Sequence, residues 1–352
     1  MSPSTPSSNF AACVKRLLTD LEYRYEPLPS CDANYWDQFH QWMFYTLGPT
    51  TSWSEKRLAD LEHASGGIIE RGYPYATTEV QLLYAKITAL AILVDDIMED
   101  EAMCAELAQF SHKLFLGEPQ RTRLLALYHA TLKEMSHLFE GSELQRDMAV
   151  IPWIVFIDGC LVEKRMFISK HGAPKITSLE GLAPHFPRYL RGRSGASESY
   201  VSGIFKAAKE QNLPVDRFIK AVPDAVFFCD VMNDILSFHK EELAGETHNF
   251  IHIRTRSLSS AGKRGSGAAG EWTPDDTLRL LCQELLEATR RVDGVLRLEE
   301  CERKMRGEVI DGVDELDVEI AKQWRGWRDG YISWHLECRR YKLDRDSLVG
   351  TA

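Results

Sequence analysis

The stretch Asn233-Asp234-Ile235-Leu236-Ser237-Phe238-His239-Lys240-Glu241 carries three oxygen-bearing side chains, Asn233, Ser237 and Glu241, each four residues from the next. At 3.6 residues per turn, that spacing stacks an amide, a hydroxyl and a carboxylate in one row on one face of a helix. The residues just upstream, Ala225, Val226, Phe227, Phe228 and Val231, are apolar, so the row sits where a buried helix meets a polar cavity. Hard oxygen donors with a single formal charge suit Mg²⁺ better than zinc. Lys240 stands beside the row, within reach of an anion held by such a metal. Taken alone, the pattern is equally the end of a helix with ordinary polar residues, and it needs a partner.

Working outward, helical signals dominate. From Thr77, an apolar face runs through Leu82, Leu83, Ile87, Leu90, Ala91 and Val94. Helices are also expected over residues 10–25, 35–47, 54–70, 121–140, 152–170, 197–211, 274–306 and 313–341, punctuated by Pro and Gly. Pro214 is expected to open the helix that ends in the row. No strand alternation of useful length and no repeat is present, so the expected fold is all-α, an α-helical bundle. Residues 1–9, rich in Ser and Pro, read as a disordered tail rather than a signal peptide. Residues 10–345 read as one domain, interrupted by a flexible Ser/Gly/Ala/Lys-rich loop at about 257–273.

The 352 residues show no internal boundary before that loop, so length alone does not divide the chain. The net charge of −10 argues against a nucleic-acid binder, which needs a basic face. None of the 8 cysteines is spaced as CxxC, which favours free thiols in a reducing compartment, the cytoplasm, over disulfides or zinc. No run of about 18 apolar residues marks a membrane span.

The partner for the row is Asp95, Asp96, Glu99, Asp100 and Glu101, five carboxylates in seven residues, with no Lys or Arg from Ile87 through His112. On a continuing helix Asp95 or Asp96 would share a face with Glu99, like charges would repel, and the helix C-terminus would disfavour them further. A cation offsets both costs. A lone acidic cluster is more often a solvated helix cap, but two metal-capable faces on two core helices imply a Mg²⁺ site and a substrate that brings phosphate oxygens. Arg339, Arg340, Tyr341 and Lys342 near the C-terminus, and Arg191 and Arg193 in Tyr189–Gly195, can donate to such an anion. In isolation, either is equally a helix end or a surface turn.

In this order, the pieces resemble a class I terpene synthase, over about residues 77–342. DDIMED at Asp95–Asp100 resembles the family's aspartate-rich motif, and NDILSFHKE at Asn233–Glu241 matches its second metal motif, ND-x-x-S-x-x-x-E with Lys before Glu. Arg191 is similar to the arginine that senses diphosphate, and Arg339-Arg340-Tyr341 to the late basic motif. GYISWHLECRRYK at Gly330–Lys342, YLRGRSG at Tyr189–Gly195 and DGCLVE at Asp158–Glu163 resemble the fungal trichodiene synthase branch of sesquiterpene cyclases. That branch has a polar pair before Asp where this chain has Ile97-Met98-Glu99, and Asp where it has Cys338, so trichodiene is not the implied product.

The resemblance implies three Mg²⁺ ions, with Asp95, Asp96 and Glu99 as ligands on one side and Asn233, Ser237 and Glu241 on the other. It implies that Arg191, Lys240, Arg340 and Tyr341 hold the diphosphate of farnesyl diphosphate, and that Phe156, Phe227, Phe238 and Trp334 line the cavity that guards the cation. It also implies a homodimer. His239 and His335 read as structural histidines rather than bases. Two rivals remain: an isoprenyl diphosphate synthase, which would carry a second aspartate-rich motif at Asn233–Glu241, and a non-catalytic helical binding protein.

Overall fold

The computed structural model describes residues 8–27, 32–167, 184–262 and 272–349, and among them finds helices and no strand. The chain begins with α1 (Ser8–Asp20) and α2 (Ala33–Trp42), which continues through a π turn (Met43–Leu47) into a 3-10 turn at Gly48–Thr50. Then follow α3 (Glu55–Gly72), α4 (Thr78–Asp96), α5 (Glu101–Leu107), α6 (Phe110–Leu116) and α7 (Arg123–Leu138). The middle is α8 (Glu143–Phe167), α9 (Phe186–Ser194), α10 (Ser197–Ile204), the single turn α11 (Val215–Phe218) and α12 (Val222–Ala244). The chain closes with α13 (Phe250–Gly262), α14 (Pro274–Val295), α15 (Leu298–Met305), α16 (Glu315–Glu337), a 3-10 turn at Arg339–Tyr341, and α17 (Arg345–Val349).

Local chemistry sets many of these boundaries. Ser54 caps α3 by accepting from the Arg57 N–H at 3.3 Å. Thr273 and Asp276 form a reciprocal capping box at α14, and Asp314 and Asp317 do the same at α16. Gly245, at φ +71°, ends α12 in the left-handed conformation that glycine adopts without a steric cost.

α4 is packed on nearly all sides: Val80, Tyr84, Ile87, Leu90 and Val94 are fully buried. α3 packs against both α4 and α16, α12 against α14, and α8 against α9 and α10. These helices ring a central cavity, to which α3, α4, α8, α9, α10, α12, α13 and α16 all contribute lining residues. None of the described helices is long and apolar enough to cross a membrane. The described cysteines Cys13, Cys104, Cys160, Cys229, Cys282, Cys301 and Cys338 are free, and Cys31 lies outside the described residues.

Several expected boundaries move. Ser8 and Asn9, placed in the tail, begin α1, and Asn9 donates to Asp275 at 2.7 Å; residues 1–7 lie outside the described residues. Pro152, expected to start or kink its helix, does not start it: α8 begins at Glu143 and carries Pro152 inside. Residues 257–262 of the expected loop are helical, because the buried Thr255 bonds Thr277 at 2.7 Å and pins α13 to α14; residues 263–271 lie outside the described residues. The expected 274–306 helix breaks at Arg297, φ +52°, whose guanidinium bonds the carbonyl of Gly312. The last long helix stops at Glu337, where Cys338 becomes extended, and the following 3-10 turn re-aims Arg340 and Tyr341 toward the cavity.

Candidate active site

The cavity has a volume of about 540 Å³ and is polar at one end and aromatic at the other. At the polar end, α12 contributes Asn233, Lys240 and Glu241, and α4 contributes Asp95 and Asp96. Arg340 and Tyr341 come from the 3-10 turn, and Arg191 from α9. The structure thus brings together four stretches that lie up to about 250 positions apart in sequence.

The α12 wall is internally braced. The Asn233 amide donates to the Tyr341 hydroxyl at 3.1 Å and lies 3.1 Å from Nε2 of His335. Lys240 Nζ is 3.4 Å from the Glu241 carboxylate and 5.8 Å from the centroid of the Tyr341 ring. Ser237, on the same helical face, is 2% exposed and is not among the residues lining the cavity. The row therefore presents its two ends, with its hydroxyl set back.

The α4 wall is looser. α4 ends at Asp96, so the helical spacing that would align Asp95 or Asp96 with Glu99 does not exist. Glu99 is exposed and does not line the cavity, which corrects its expected place beside the aspartates. Asp100 instead caps α5, accepting from the Ala102 and Met103 N–H groups at 2.9 and 3.1 Å, and Glu101 pairs with Lys164 at 3.3 Å. Asp96 pairs with Arg57 at 3.3 Å. Asp95 is exposed and lines the cavity. Desolvation and the neighbouring Asp96 raise its pKa, while Arg340 and Lys240 oppose them. A divalent cation there would offset the repulsion between Asp95 and Asp96, the lesser of the two causes.

Arg191 is anchored from α12. Its Nε donates to both Asp234 oxygens at 2.8 and 3.0 Å, and the guanidinium also pairs with Asp230 at 3.1 Å. Burial disfavours the charge, but the two aspartates outweigh it and hold the guanidinium protonated. Gly195 leaves room for this cluster, since a Cβ there would strike Asp230 and Arg191. Asp234 is therefore an anchor for Arg191, a role that neither spacing nor charge assigned to it. Glu163 of α8 also lines the polar end, its pKa raised by burial despite a hydrogen bond from Ser194.

The aromatic end only partly matches expectation. Phe156 and Trp334 line the cavity, and Trp334 is fixed by its indole N–H donating to the Ala64 carbonyl at 3.1 Å. Phe238 instead packs away from the cavity, its ring 5.8 Å from His252, and Phe227 faces a smaller pocket under the Arg188 guanidinium. At about 100° per residue the two rings lie roughly 80–100° around α12 from the middle of the Asn233–Glu241 row, to one side of it. Trp153, Tyr200 and Tyr331 line the cavity in their place. Trp153 meets Phe156 at 6.3 Å and Tyr200 at 5.3 Å, and Tyr331 meets Trp334 at 6.0 Å. No local pattern marks these rings, because they converge from three helices.

The donor set fits a hard divalent cation. Among the described residues, no three His, Cys, Asp or Glu side chains come close enough to hold a metal by themselves. The oxygen donors are split between two walls and include an amide, so ligand oxygens must complete any coordination sphere.

No family model matches the sequence. Terpene synthase BipA of Cochliobolus sativus is 30% identical over 273 residues, covering 77% of this chain and 71% of that protein. Longiborneol synthase CLM1 of Gibberella zeae is 28% identical over 270 residues, covering 77% of this chain and 68% of that protein. A 7-epi-alpha-eudesmol synthase of Streptomyces viridochromogenes, described as cyclising (2E,6E)-farnesyl diphosphate, is 25% identical over 332 residues, covering 88% of this chain and 87% of that protein. Among solved structures, the linalool/nerolidol synthase of Streptomyces clavuligerus in complex with 2-fluorogeranyl diphosphate superposes with a TM-score of 0.57 at 16% identity, covering 94% of this chain and 100% of that one.

Proposed function

The chain belongs to the terpene synthases, lyases that act on prenyl diphosphates, and has the all-α fold of their class I members; from that premise we propose a Mg²⁺-dependent sesquiterpene cyclase that ionises farnesyl diphosphate and cyclises the cation to a sesquiterpene hydrocarbon or alcohol. The observation that carries this reading is the lining of the central cavity, which brings oxygen donors and cations together with aromatic faces. The farnesyl chain length is supported by the substrate in the name of the Streptomyces viridochromogenes relative.

In this reading, Asn233, Glu241, Asp95 and Asp96 hold three Mg²⁺ ions, with Ser237 completing the α12 set. Bound there, such ions would supply positive charge against the diphosphate oxygens of the leaving group. Arg191, Lys240, Arg340 and the Tyr341 hydroxyl donate to the same oxygens and stabilise the leaving group. Phe156, Trp153, Tyr200, Tyr331 and Trp334 exclude water from the allylic cation and offer ring faces to it. One domain, residues 10–345, acts as the catalytic unit. The protein works in the cytoplasm as a homodimer, an assembly that sedimentation equilibrium checks directly.

The test is to incubate purified protein with farnesyl diphosphate and Mg²⁺ and analyse the extract by gas chromatography–mass spectrometry. A sesquiterpene hydrocarbon or alcohol is expected. A longer diphosphate formed only on adding isopentenyl diphosphate would replace this reading with chain elongation. No turnover of geranyl, farnesyl or geranylgeranyl diphosphate would end the enzyme reading.

A further inference from the structure

Asn233 can turn either its oxygen or its amino group toward the cavity, and only the oxygen can bind a cation. Nothing in its own helix decides between the two. The decision comes from α16, across the core.

His335 is fully buried, with the rings of Tyr331, Trp334 and Tyr341 each about 4.5 Å from its own. Its Nδ1 lies 2.8 Å from the backbone carbonyl of Tyr331. A carbonyl oxygen carries no hydrogen, so Nδ1 must hold the proton. Among the described residues both ring nitrogens face neutral groups, a carbonyl and an amide, and neither meets an anion that would support a second proton. Nε2 is therefore bare and accepts. The group 3.1 Å away on Asn233 must then be the amino group. Its other hydrogen goes to the Tyr341 hydroxyl oxygen at 3.1 Å.

Two consequences follow along this chain of donors. The Asn233 carbonyl oxygen has no protein donor among the described residues and is left for the cavity. Tyr341, already accepting, keeps its own hydroxyl hydrogen free to donate into the cavity that it lines. We propose that His335 is a positioning residue: through its Nδ1–H tautomer it presents the Asn233 oxygen as a metal ligand and the Tyr341 hydroxyl as an anion donor. This rests on the reading of the polar end as a metal–diphosphate site. Rotating either the Asn233 amide or the imidazole tautomer would set a donor against a donor, or an acceptor against an acceptor.

The test uses the full-length protein, Mn²⁺ as a spectroscopic substitute and inorganic diphosphate. Mn²⁺ binding is read by electron paramagnetic resonance for the wild type, His335→Phe and His335→Gln. Phe keeps a flat ring without the acceptor, whereas Gln places a carbonyl oxygen near the Nε2 position. His335→Phe is expected to weaken Mn²⁺ binding about tenfold to a hundredfold, the usual loss for an outer-shell partner, with most of it regained in His335→Gln. Wild-type binding by His335→Phe, or an equal loss in both variants, overturns the inference while leaving the metal site standing. Absence of Mn²⁺ binding by the wild type overturns the metal reading and this inference together. Nitrogen-15 histidine NMR of the unsubstituted protein decides independently of variant folding: a neutral Nδ1–H ring is expected at His335, and an Nε2–H ring or an imidazolium overturns the assignment.

Discussion

Asn233 enters the cavity with both amide hydrogens committed, to His335 and Tyr341, whereas Asp95 on the opposite wall accepts no side-chain hydrogen bond among the described residues. Its neighbour Asp96 holds one solvent-facing contact, with Arg57. Below Asn233, Asp234 and Asp230 are locked to Arg191. The α12 wall is thus braced by hydrogen bonds within the protein, and the α4 wall is a pair of carboxylates at a helix end. A preformed wall loses little freedom on binding, whereas a loose one must be ordered by what it binds. The difference leads to the expectation that substitutions on α12 cost more than those on α4.

Removing the preformed wall should have the largest effect. Asn233→Ala combined with Ser237→Ala is expected to lower turnover of farnesyl diphosphate by about a thousandfold or more, roughly 4 kcal/mol of barrier. Product quantified by gas chromatography checks this, and near-wild-type activity would remove α12 from the site. Next, Arg191→Met leaves Asp230 and Asp234 buried without their cation, which should destabilise the metal-free protein by about 3 kcal/mol in urea unfolding. An unchanged midpoint would mean that α12 is not braced in this way.

On the loose wall, Asp95→Asn is expected to cost less, about tenfold to a hundredfold in kcat/KM, mainly as a raised Mg²⁺ requirement. A loss as large as that of the double variant on α12 would erase the contrast between the walls.

The smallest effect is the control. Asp276, in the capping box of α14, has its pKa pulled down to about 2 by Thr273 and Arg279. Its folded pKa lies below the ordinary carboxylate value of 3.8, so its stabilisation is present above that value and is lost as pH falls through about 2. Asp276→Asn should lower the melting temperature slightly at neutral pH, with the gap to wild type closing near pH 2, and leave turnover unchanged. A gap that persists at pH 2 would show that the carboxylate charge is not the source.

The oxygen-donor row and the Asp95-Asp96 pair were readable because each is a short-range pattern, set by helical spacing or by adjacency. Glu99 misled because its alignment assumed a helix that ends at Asp96, and helix ends depend on packing more than on composition. Phe227 and Phe238 misled for a related reason. An apolar ring on a buried helix can face the core or the cavity, and only the rotation of α12 against α14 and α16 decides which. Trp153, Tyr200 and Tyr331 left no local trace because the surface that they share exists only between helices.

By itself, the sequence determined the all-α class, through apolar periodicity and the lack of strand alternation, and it determined which residue types could meet a metal and an anion. Both are properties of spacing along one chain. Tertiary structure alone decided which of those residues share a cavity, that Asp234 serves Arg191, and which atom of Asn233 faces inward. The first two depend on how the helices pack, and the last on a buried imidazole 102 positions from Asn233 that lies against a backbone carbonyl, a contact set in three dimensions rather than by sequence neighbours.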